Sequence, residues 1–149
     1  MRMFTASALL LATFGLVACG GDSTGPSDAN VGGAWTFTAS NMSGAGVSCN
    51  LSSAPLSLTQ TGTTFSGTYG AATLSCSAGA QSTSGMIQGV VVNGSVDGNA
   101  VEFDLDTQDF HHTGSVSGSS MSGTARWTFD FGGSIGVVVL NGNWAAAKQ

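Results

Sequence analysis

The side chains best suited to chemistry lie in one run, Glu102-Phe103-Asp104-Leu105-Asp106-Thr107-Gln108-Asp109-Phe110-His111-His112, which carries both histidines of the chain. Glu102 and Asp104 are two residues apart, so on a strand they point to one side at a spacing of about 7 Å. Paired carboxylates at that distance could cleave a glycosidic bond, but any polar strand face gives the same spacing. Asp104, Asp106 and Asp109 offer three carboxylates near a turn, oxygen ligands of the kind calcium takes. The run lacks the Gly and the terminal Glu of the helix–loop–helix calcium loop, and solvated outer-face carboxylates are the plainer reading. His111 and His112 are adjacent. On a strand they face opposite sides and do not share one metal. Serines are plentiful, yet none stands in Gly-x-Ser-x-Gly on a strand-to-helix turn, and no Gly-rich phosphate loop leads into Lys and a helix. No catalytic residue and no cofactor is expected. The rival reading is a small hydrolase or metal-dependent enzyme built on residues 102–112.

The elements that must position this run are strands. Gly contributes 23 residues and charged residues only 7%; Gly, Ser and Thr are poor helix formers, whereas short strands joined by Gly-rich turns suit them. From Ala100, Val101, Phe103 and Leu105 take one face and Glu102, Asp104 and Asp106 the other. Met121, Gly123, Ala125, Trp127, Phe129 and Phe131 alternate likewise with Thr124, Arg126, Thr128 and Asp130. Further strands are expected at Gly33–Thr38, Pro55–Gln60, Thr64–Tyr69, Ala72–Cys76, Met86–Val96, Phe110–Ser117 and Ile135–Ala146. A Ser-, Gly- and Asn-rich loop is expected through Cys49, and a polar loop over residues 77–86. Gly94-Ser95-Val96 and the residues after it are echoed 20 positions later by Gly114-Ser115-Val116, as successive hairpins would be. About eight strands, each apolar on one face, must stack as two sheets or close on themselves, and closure removes exposed edges. The expectation is an all-β, antiparallel up-and-down meander closed into a barrel, with a β-sandwich as the alternative. A barrel of this size either fills with side chains or holds one small ligand. Trp35, Phe65, Tyr69 and Trp127 are the candidate contacts for a small apolar ligand.

The N-terminus sets the expected address. Arg2 precedes an apolar segment from Ala8 to Ala18, interrupted only by Thr13. This is the pattern of an export signal and is well short of the roughly 20 residues a spanning helix needs. Leu16-Val17-Ala18-Cys19 resembles the bacterial lipobox. The resemblance implies that residues 1–18 are removed and that Cys19 is acylated on its sulfur and its new amino group. More than one acyl chain holds a protein stably on a membrane. Gly20, where an Asp would retain a lipoprotein in the inner membrane, implies the outer membrane of a bacterial cell envelope. Residues 19–30 then read as the lipidated Cys and a flexible Gly/Ser linker, and residues 31–149 as one domain. The 131 residues left after residue 18 suffice for a core of ordinary size.

Beyond residue 18, two basic side chains, Arg126 and Lys148, face eight acidic ones, a formal charge of −6. That balance excludes a phosphate-backbone partner such as nucleic acid. With Cys19 lipidated, Cys49 and Cys76 remain as a pair in an oxidising compartment. Their disulfide would close a loop of roughly 28 residues and stabilise the fold by about 3–4 kcal/mol on the chain-entropy model. Free thiols or metal ligands are the competing reading, without the spacing a zinc site shows.

Gly33-Ala34-Trp35 is similar to the Gly-x-Trp that opens lipocalin-like and avidin-like barrels. Gly62-Thr63-Thr64-Phe65-Ser66-Gly67-Thr68-Tyr69 resembles the avidin hairpin Gly-x-hydrophobic-x-Gly-Thr-Tyr. The resemblance spans about 35 residues and implies a calycin-like shape. The lipocalin Thr-Asp-Tyr is missing, and no binding residue carries over. The expected protein is a lipid-anchored envelope component that binds a small apolar ligand or serves at the surface.

Overall fold

The computed structural model describes residues 27–105, 109–133 and 136–149. The Leu16–Cys19 motif, the start of the linker and Asp106 lie outside the described residues. Eight strands are described: β1 (Gly33–Gly44), β2 (Val47–Thr61), β3 (Thr64–Ala78), β4 (Gln81–Asp97), β5 (Ala100–Leu105), β6 (Phe110–Ser117), β7 (Ser120–Asp130) and β8 (Val137–Lys148). Each pairs antiparallel with the next, and β8 returns to β1, so the meander closes as a barrel. The expected closure holds.

Five of the connections are two residues long. Gly62, Gly79, Gly98 and Gly118 each open one of them with φ between 57° and 61°, a conformation that costs Gly little and that matches the twist of the flanking strands. Three expectations fail. The strands foreseen separately at Thr64–Tyr69 and Ala72–Cys76 are one, β3, which runs on through Gly70 and Ala71. The loop foreseen through Cys49 is the end of β1, the turn Ala45-Gly46 and the start of β2. The loop foreseen over 77–86 is the tip of the β3–β4 hairpin, which turns at Gly79-Ala80. Ser- and Gly-rich sequence has little strand propensity and no apolar alternation, yet neighbouring ladders on β2, β3 and β8 satisfy its backbone. Register shifts within β1 and β4 bracket Asn41 and Asn93, both at φ 55°. Asn tolerates this conformation better than most residues, and bulges of this kind tighten the curl that closure requires.

The inward face is apolar and aromatic. Trp35, Phe37, Phe65, Tyr69, Phe103, Phe110, Trp127 and Trp144 are all buried, whereas the outward positions are largely Ser, Thr and Asn. This polarity is the reverse of a barrel that spans a membrane, which is apolar outside and polar within. Rings from different strands interlock: Phe37 stacks on Trp144 of neighbouring β8 at 6.1 Å between centroids and meets Phe103 of β5 edge-on at 6.4 Å. The sequence echo acquires a physical cause here. A Cβ on Gly94 would sit 2.5 Å from Phe65 Cδ2, and one on Gly114 would sit 2.8 Å from Trp144 Cζ2. Each Gly leaves the room that an aromatic ring fills.

One end of the barrel is closed by the chain's own approach to β1. Asp28 Oδ1 accepts from the Gly98 amide at 2.8 Å, and the Ala29 amide donates to the Gly98 carbonyl. Gln60 Nε2 donates to the Ala29 carbonyl, and Gln60 Oε1 accepts from the Val31 amide at 2.7 Å. Buried Val31 in turn accepts from Trp35 Nε1 at 2.8 Å. Residues 28–30, read from sequence as the end of the linker, are thus held against the barrel.

Candidate functional site

Three places merit weighing as sites: the aromatic interior, a polar cluster on the outer wall, and a cleft in the wall at the end away from Val31. Trp35, Phe65, Tyr69 and Trp127, the candidate ligand contacts, lie in the interior and are at most 4% exposed. They pack against other rings, Phe65 5.9 Å from Phe103 and Trp127 stacked on Phe110 at 5.3 Å; Trp35 also borders a cleft of about 230 Å³ with Pro55, Leu56 and Gly70. Trp35 is capped by Lys148, whose ammonium sits 5.2 Å above the ring.

The two histidines face opposite sides, as strand geometry requires. His112 points inward and is fully buried. Its ring lies flat on Phe103, 4.6 Å away and 5° from parallel, with Phe110 at 4.3 Å and the edges of Phe37 and Trp144 around it. Neither His112 nitrogen finds a hydrogen-bond partner among the described residues, nor does Trp127 Nε1. Burial drives its pKa down to about 3, and the neighbouring His111 adds to the depression. The carbonyls of Phe110 and Phe103 oppose the shift, but neither is placed to accept a hydrogen bond from the ring. A neutral imidazole thus acts here as a flat aromatic in an apolar stack, and desolvation is the reason it stays neutral.

His111 points outward into the acidic cluster. Its Nδ1 lies 2.7 Å from Asp104 Oδ1, and its Nε2 lies 3.5 Å from Glu102 Oε1. Asn93 Nδ2 donates to Asp104 Oδ2 at 2.8 Å. Partial burial pushes the Asp104 carboxyl up, but the hydrogen bonds from Asn93 and His111 outweigh it and leave the pKa below the ordinary value. A histidine oriented by a carboxylate is the arrangement of a general base. Here, however, the second ring nitrogen faces another carboxylate where a nucleophile would need to stand, and all three side chains are between 30% and 58% exposed. Asp109 is exposed, at the turn before β6. Among the described residues, no three His, Cys, Asp or Glu side chains come together in a way that could hold a metal ion.

The cleft arises from unequal strand lengths. β5 stops at Leu105, opposite Val91, and β6 begins at Phe110, opposite Trp127. β4 and β7 run past them, to Gln81 and Asp130. Between these two strands the described residues leave the wall open, and Leu74, Thr83, Gly85, Ile87, Phe129 and Phe131 line a cleft of about 410 Å³ with Asp130 at its margin. Phe129 and Phe131 meet edge-on at 4.7 Å, and Phe129 continues the stack to Trp127. The Cys49–Cys76 disulfide bridges directly opposed positions of β2 and β3, with Cα atoms 4.1 Å apart. Cys76 borders the cleft, so the bridge braces the hairpin that forms one of its sides. Sequence alternation had placed Phe129 and Phe131 on the inward face, but nothing in it marked Leu74 and Ile87 as their counterparts across an opening.

No known protein family, curated protein or solved structure matches the chain.

Proposed function

We propose that this protein is a non-enzymatic, lipid-anchored binding module of the bacterial cell envelope. Cys19 carries the acyl anchor, most of residues 19–30 form the tether, and the barrel presents the wall cleft to a small apolar ligand. The observation that carries the ligand reading is the cleft itself: four large apolar side chains, Leu74, Ile87, Phe129 and Phe131, reach the surface together beside an interior already occupied by rings. Its volume falls within the range of small-molecule sites. Asp130 at the margin favours a neutral or cationic ligand over a fatty acid carboxylate. Two experiments test the two halves. Labelling cells with palmitate should mark the full chain and fail to mark Cys19→Ala; equal labelling of both would remove the anchor. The neutral fluorophore N-phenyl-1-naphthylamine should bind saturably to a chain beginning at Ser27, and Ile87→Asp should abolish that signal. Unsaturable binding, or binding indifferent to Ile87→Asp, would remove the cleft.

The 2.7 Å contact between His111 and Asp104 favours one other reading, a small hydrolase with His111 as base. Turnover of a panel of ester and glycoside substrates that is lost in His111→Ala would establish it in place of the binding module.

A further inference from the structure

The same mismatch of strand lengths that opens the cleft leaves about half of β4 without a second neighbour among the described residues. β4 pairs with β3 along its length but meets β5 only from Val91 onward. Over Gln81–Gln88 the outer edge has no partner strand among the described residues. Natural sheets guard such edges with Lys, Pro or inward charges. Gln81-Ser82-Thr83-Ser84-Gly85-Met86-Ile87-Gln88 has none of these, and indeed no charged residue or histidine occurs anywhere between Asp28 and Asp97. The acidic side chains of the barrel are gathered elsewhere, mostly from Asp97 to Asp130.

We propose that two copies of this chain associate through this edge, β4 against β4, antiparallel about a twofold axis at Gly85. Three observations favour a second copy as the occupant. First, a twofold contact brings each surface against itself, so a chain with a strongly negative balance meets its copy at least cost through a neutral surface, and this edge is one. Second, a twofold axis at Gly85 sets Ser84 opposite Met86 and Ser82 opposite Gln88 of the second copy. The pairing covers Met86, the most exposed large apolar side chain described at 74%. Third, a Cβ placed on Gly85 meets nothing within 4 Å, so the centre of the contact is open to close approach. One strand pair is a small interface, and the association is correspondingly weak. It does not depend on the acyl anchor; because Thr83, Gly85 and Ile87 of this edge also line the cleft, a second copy and a cleft ligand meet the same strand.

The test is cross-linking of the purified full chain carrying Cys19→Ala with a short bismaleimide, which then reacts only with an added thiol and leaves the Cys49–Cys76 bridge intact. Met86→Cys, on the outer side of the edge, should give a covalent dimer. The chain without an added thiol and Thr36→Cys, on the outer face of β1, should stay monomeric. Adding Ser84→Lys to Met86→Cys sets two like charges across the axis and should reduce the dimer band at least tenfold, while far-ultraviolet circular dichroism and melting temperature stay unchanged. Cross-linking of Met86→Cys no greater than that of Thr36→Cys overturns the proposal, as does a dimer indifferent to Ser84→Lys.

Discussion

Acid should unfold this barrel through His112 before it acts through the carboxylates. His112 is fully buried in an aromatic stack, and its pKa falls from an ordinary 6.5 to about 3 in the folded chain. Between those values the unfolded chain binds one proton more than the folded one, so folding free energy is lost as the pH falls. The full span of 3.5 units corresponds to about 5 kcal/mol at 1.36 kcal/mol per unit. Most of the informative part lies higher: between pH 6.5 and 4.5 the loss from this one group is about 2 kcal/mol. That is a large share of the roughly 5–15 kcal/mol by which domains are stable. Asp104 acts with the same sign but in a separate window. Its depressed pKa contributes stability that is present above its ordinary value of 3.8 and lost as the pH falls through the lower folded value. The assay is urea denaturation at pH 7.0, 6.0, 5.0 and 4.5, followed by tryptophan fluorescence. The slope in wild type should approach about 1.4 kcal/mol per pH unit below pH 6. His112→Leu removes both unpaired ring nitrogens and the titration, and should be nearly flat over the same range. A flat wild-type profile, or an undiminished slope in His112→Leu, would refute the argument.

Two further outcomes are expected. Reduction of Cys49–Cys76, or the double substitution Cys49→Ala/Cys76→Ala, should lower unfolding free energy by about 3–4 kcal/mol on the chain-entropy model, read as a shift in the urea midpoint. Gly114→Ala should destabilise by about 1–3 kcal/mol, because its new methyl meets Trp144 and the Ser122 backbone; a shift in tryptophan emission should accompany the lower midpoint.

Period-two alternation made much of the architecture readable in advance. It separates Val101, Phe103 and Leu105 from Glu102 and Asp104, and it sends His111 and His112 to opposite faces, because a strand has only two sides. Where alternation is missing, as around Ser43–Cys49 and Ser77–Gly85, the strands went unread. Those residues are extended because adjacent ladders hold them, not because their side chains prefer it. The aromatic–glycine pairs were equally hidden. Gly94 and Phe65 are far apart in sequence, and nothing local to either marks them as partners.

The sequence by itself determined the class of fold and, where alternation runs, the facing of its side chains, consequences of composition and local periodicity; it offered Cys49 and Cys76 as a candidate pair, which the structure joins. Tertiary structure alone decided that the meander closes and that residues 28–31 seal one end of it. It also decided that Asp104 and His111 meet while His112 is stripped of solvent. The cleft and the bare edge of β4 belong to the same group. They follow from β5 and β6 being shorter than the strands that flank them, and such a mismatch has no meaning until the strands stand side by side.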